Sequence, residues 1–105
     1  MTTPYSPGAI GARLRIAREI IKAAGTLADM AELFGEPLQT WSRWEIGHTR
    51  LTIEIAWKIH ENYPIERDWL LFGETRFLNA AQRQAIADAE ARLAVTQPRG
   101  RARVS

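Results

Sequence analysis

Along most of this chain apolar residues recur three and four positions apart, the spacing that puts them on one face of a helix. Ile10, Leu14, Ala17 and Ile21 make the first stripe. Ser6 and Pro7 ahead of it read as a cap and a helix-starting proline, and the helix is expected to run to about Ala24. Gly25 closes it, and Thr26 caps a second helix over residues 27–34 with Leu27, Met30, Ala31 and Phe34 on one side. Gly35 can take a positive φ there without a Cβ penalty. Pro37 suits the start of a third helix, residues 38–46, which turns Trp41 and Trp44 inward and ends at Gly47. Leu38, Gln39, Ser42 and Arg43 are left on its opposite face.

Thr52 reads as the cap of a fourth helix, expected to bury Ile53, Ala56, Ile59 and Tyr63, with Ile55, Trp57 and His60 at its margins. Pro64 stops it. Ile65 and residues 66–72 give a fifth helix, anchored by Trp69 and Leu70 and ended by Gly73. Residues 78–95 form a sixth helical pattern with Asn79 as cap. Leu78, Ala81 or Gln82, Ala85, Ala89 and Leu93 recur in it near a seven-residue period, with Ile86 beside them. So narrow a stripe suits packing against another helix, in this chain or in a second copy.

The chain therefore reads as all-α, with four parts. Residues 1–5, without a periodic pattern, form a loose arm. Residues 6–74 form a compact five-helix domain with short connections. Residues 75–95 carry the appended helix, a candidate dimerisation element. Residues 96–105, TQPRGRARVS, hold Arg99, Arg101 and Arg103 with almost no apolar content, and are expected to be disordered alone.

A short helix, a Gly turn and a second short helix with a polar outer face make a helix-turn-helix pattern. Counted from Leu27, the small residue at the fifth position is Ala31 and the Gly at the ninth is Gly35. The buried fifteenth and eighteenth are Trp41 and Trp44. Together with IGARLRIAREI, SRWEIGHTR and IERDWLLFGE in that order, the chain resembles the lambda-repressor-like (Cro/C1, or xenobiotic-response-element) helix-turn-helix family over about two-thirds of its length. It departs from the family pattern at three points. Trp41 replaces a β-branched aliphatic, Leu27 stands where Gln is common, and the stretch between Arg18 and Ala31 is about two residues longer.

The resemblance implies a sequence-specific DNA-binding regulator, more simply a repressor, acting on an inverted repeat as a homodimer. It places Leu38, Gln39, Ser42 and Arg43 toward base edges. There Gln pairs bidentately with adenine, Arg with guanine, and Leu packs on a thymine methyl. It places Thr26, Thr40, Thr49 and Arg50 toward phosphates, with His48 beside them, and implies an Arg18–Glu45 ion pair that orients Arg18 toward a phosphate. Arg13 and Arg15 are expected to be merely solvated. For the outward face of the third helix the bland reading is an exposed surface with no partner.

The net charge of +2 in 105 residues does not argue for nucleic acid by itself. Distribution says more, because Glu54, Glu61, Glu66, Asp68, Glu74, Asp88 and Glu90 all follow the motif, which leaves a basic side possible. With no Cys there is neither a disulfide framework nor a thiolate metal site. His48 and His60 are not spaced with carboxylates as metal ligands, and no phosphate-cradling Gly loop is present. Neither a catalytic residue nor a metal or cofactor is expected, and His60 reads as a partly buried, hydrogen-bonded helix residue. No apolar run spans a membrane and no signal peptide is evident, so a cytoplasmic protein is expected. Two other functions fit the same residues. One is an antitoxin that binds a toxin through its last helix and regulates its own promoter. The other is a protein-interaction module, for a co-regulator for example, that kept the fold and lost DNA.

Overall fold

Caps set the helix starts. In the computed structural model, which describes residues 3–22 and 25–96, six helices follow in order. They are α1 (Pro7–Ile21), α2 (Leu27–Leu33), α3 (Leu38–Ile46), α4 (Ile53–Asn62), α5 (Arg67–Phe72) and α6 (Ala80–Thr96). Ser6 Oγ accepts from the Ala9 amide at 3.2 Å, and Thr52 Oγ1 from the Ile55 amide at 3.3 Å. Glu66 accepts from Asp68 and Trp69 at the start of α5. Two helices open with reciprocal boxes, Thr26 with Asp29 in α2 and Asn79 with Gln82 before α6. Each such cap supplies roughly 1 kcal/mol that a bare helix start would lack. Gly35 and Gly47 close α2 and α3 with φ of 69° and 83°.

One core joins the first five helices. Leu14, Ala17, Met30, Trp41, Ile59 and Leu70 are fully buried in it, and Ile10, Ala31, Trp44, Leu51, Ile55, Ala56, Ile65, Trp69 and Leu78 complete it. Phe34 stacks on Trp41 with ring centroids 5.3 Å apart, and Tyr63 meets Phe34 edge-on at 6.0 Å. α1 is the central element, with α3 on one side, α5 near its start and α6 along its length.

Several expectations are corrected. α1 ends at Ile21, because Lys22 already has extended backbone (φ −147°, ψ 91°), while Ala23 and Ala24 lie outside the described residues. α2 ends at Leu33, with Phe34 as its C-cap. In α4 Ile53 is 73% exposed and Ile55 is buried in its place. Ile55, Ala56 and Ile59 define the inward face, and Ile53, at the first position of the helix, falls outside it. From Thr3 onward the arm touches the domain, with Arg13 donating to the Pro4 carbonyl and Arg50 to the Tyr5 carbonyl. Arg13 is correspondingly not a solvated cation. Its Nε also donates to the Leu70 carbonyl at 2.9 Å, and burial lowers its pKa from the ordinary value.

The sixth stripe finds its partner inside the chain. Ala89 is fully buried, Leu78 nearly so, and Gln82, Ala85, Ile86 and Leu93 are half-buried, while Ala81 is exposed. Arg92 Nε meets Glu19 Oε2 of α1 at 2.7 Å. α6 runs to Thr96, so the expected tail begins one residue later, and its arginines lie outside the described residues. Among the described residues no helix is long and apolar enough to cross a membrane.

Candidate nucleic-acid interface

α3 separates two environments. On its inner side Trp41 is fully buried, Trp44 is 4% exposed, and their rings meet edge-on at 5.4 Å. Trp41 is larger than the aliphatic common at that position, and the space is filled by its stack on Phe34. Its indole is satisfied as well, since Nε1–H donates to Glu45 Oε2 at 2.9 Å. Glu45 in turn receives Arg18, Nε at 2.8 Å and Nη2 at 3.1 Å, while Arg18 Nη1 donates to the Gly25 carbonyl at 2.6 Å. The side chains of this pair are 16% and 5% exposed. Arg18 thus ties α1, the segment before α2, and α3 together, and the longer stretch between Arg18 and Ala31 does not prevent the pair. The sequence reading had the pair but missed its third member, Trp41. The i,i+4 spacing of Trp41 and Glu45 on one helix is the signal that could have found it.

α3 can lie so close to α1 because of glycine. A Cβ at Gly11 would fall 2.4 Å from the Trp44 carbonyl oxygen and 2.6 Å from that of Glu45. Gly47 abuts Gly8 in the same way, with a Cβ 2.7 Å from the Gly8 Cα. The two helices therefore meet backbone to backbone, which fixes the direction in which α3 presents its outer face.

That outer face holds Leu38, Gln39 and Arg43, all exposed, and Ser42, half-buried. Neither Gln39 nor Arg43 has a side-chain partner among the described residues. Ile46 is 60% exposed and shares this face, seven residues after Gln39 and three after Arg43. The sequence reading omitted Ile46, although the i,i+7 spacing marks it as a further candidate for apolar contact with a thymine methyl. Thr40 sits at the side of the helix, half-buried. His48, Thr49 and Arg50 are exposed in the loop after α3, and Thr26 is exposed at the start of α2, where its hydroxyl is held by the cap. His60 stays with the fold, its Nδ1 3.1 Å from the Ile65 carbonyl.

Two short helices at a glycine turn, the second buried through two tryptophans and outwardly polar, are what a family comparison can test. A family model described as helix-turn-helix matches residues 14–70. The chain belongs to the helix-turn-helix family, of the Cro/C1 type. Membership makes this helix-turn-helix protein a DNA-binding transcriptional regulator. The match begins inside α1 and ends inside α5, so α6 lies beyond it. Neither the curated proteins nor the solved structures gave a match.

Proposed function

We propose that this protein is a repressor that binds an inverted-repeat operator as a homodimer, with α3 in the major groove. The observation that carries this is the outer face of α3, where Gln39 and Arg43 are exposed and unpartnered beside Leu38, Ser42 and Ile46. A duplex major groove admits one α-helix, and its base edges offer patterns that Gln and Arg read bidentately. Thr26, Thr40, Thr49 and Arg50 suit phosphate contacts, which position the helix without reading sequence. Arg18 serves indirectly, through Glu45, by fixing the pose of α3.

One helix of this size covers only a few base pairs, and a two-fold dimer doubles the site. α6 has its own partner in α1, so its inner stripe is not available to a second copy. Ile53, Trp57, Phe72 and Phe77 are each at least 43% exposed and remain as apolar surface for one. Arg99, Arg101 and Arg103, which follow α6 in the sequence, add salt-dependent affinity and no preference.

The test is binding of folded Gln39→Ala and Arg43→Ala proteins to single-base operator variants. Each change should relax preference at one position per half-site, by about 1–3 kcal/mol. If both variants keep the parent's preferences, α3 does not read the groove. Light scattering on a palindromic site should report two chains, and a lone chain there would refute the dimer.

A further inference from the structure

The chain's first described residues lie against the loop that follows α3. Thr3, Pro4, Tyr5 and Ser6 form a turn, with the Ser6 amide donating to the Thr3 carbonyl at 3.2 Å and proline at the second position, which its fixed φ suits. Arg13 and Arg50 clamp this turn from two sides through the carbonyls of Pro4 and Tyr5. Just behind it, Gly8 sits against Gly47, the C-cap of α3. The turn is thus attached to the end of α3. Tyr5 is 53% exposed, and its phenol has no hydrogen-bond partner among the described residues. Arg50 meets no carboxylate among them either, and α1 has no acid in its first turn.

We propose that Tyr5 is a further DNA-contacting residue, its phenol donating to a backbone phosphate oxygen next to those held by residues 48–50, and that Arg50 positions it. This rests on α3 lying in the major groove. The contact is to the backbone because the turn flanks the end of α3 and is not on its outer face, so it meets the strand at the groove's edge. A phenol is a neutral donor. It strengthens binding without releasing a counterion, whereas Arg50 contributes a cation as well as the anchor of the turn.

Salt-dependent binding of the full chain to its selected operator and to a random-sequence duplex tests this. Tyr5→Phe keeps the ring and removes only the hydroxyl. It should weaken binding to both duplexes by about 3- to 10-fold and leave the slope of log K against log salt unchanged. Arg50→Ala should lower that slope by about one unit. Adding Tyr5→Phe to Arg50→Ala should then cost less than Tyr5→Phe does alone, because the Tyr5 carbonyl has already lost Arg50 while Arg13 still holds Pro4. A Tyr5→Phe protein that binds as the parent does, or two losses that multiply in full, overturns the proposal. If Gln39→Ala and Arg43→Ala relax preference while Tyr5→Phe changes nothing, only the role of Tyr5 falls. A parent chain that binds neither duplex removes the major-groove reading with it.

Discussion

α3 and α6 both pack on α1, and they do so by different means. α3 approaches at backbone distance over Gly11 and Gly47, buries two tryptophans, and is held by a carboxylate with 5% side-chain exposure that receives both Arg18 and Trp41. α6 rests on a stripe of small and half-buried residues, and its Arg92, with a side chain 45% exposed, meets a Glu19 side chain that is 11% exposed. Burial decides what each bond does. Water weakens a charge pair that it can reach and leaves a buried one strong but costly to break. α3 should therefore be locked in direction, as a helix that must meet a fixed groove requires, and α6 should tolerate change.

Trp44→Ala is expected to have the largest effect. It empties a core position in α3 and should cost about 3–5 kcal/mol in denaturant unfolding, whereas no single alanine in α6 should approach this. A loss under 1 kcal/mol would break the contrast. Glu45→Ala should follow at about 3 kcal/mol, since it leaves Arg18 without its carboxylate and the Trp41 indole without an acceptor. Gly11→Ala comes next, and its sign is the test. Alanine in a helix interior ordinarily stabilises, but here the added methyl meets carbonyls of α3, so a loss of about 1–3 kcal/mol is expected. Gly8→Ala, whose Cβ meets nothing within 4 Å, should instead be neutral or stabilising. Thermal unfolding of the two variants decides it.

Arg92→Ala should cost about 1 kcal/mol, less at high salt, because the Arg92 side chain is 45% exposed, although the Glu19 side chain it pairs with is 11% exposed. A loss as large as that of Glu45→Ala would show α6 to be as firmly held as α3. The smallest effect concerns the two capping boxes. The Thr26 amide and hydroxyl hold the Asp29 carboxyl below the ordinary carboxylate range, with Lys22 adding to this. A lowered folded-state pKa contributes stability that is present above the unfolded value and is lost as pH falls through the folded one. Acid should thus loosen the start of α2, while the amide box of Asn79 and Gln82 does not titrate. Amide exchange in the two first turns should diverge as pH drops through the carboxylate range, and Asp29→Asn should remove the divergence.

Local chemistry by itself determined the helices and where they begin. Ser6, Thr26, Thr52, Glu66 and Asn79 cap them, and Gly35, Gly47 and Gly73 end three of them, because capping and positive φ depend on only a few neighbouring residues. The inward tryptophans and outward Gln39 and Arg43 followed from helical period alone. What period could not settle was which of Ile53 and Ile55, two positions apart on α4, turns inward, since that depends on the direction from which the core is approached. The tertiary structure alone decided that α6 folds back on α1 and that Arg13 and Arg50 grip the first turn. Those contacts join residues up to 73 positions apart, and no spacing within one helix encodes which distant element will be its neighbour.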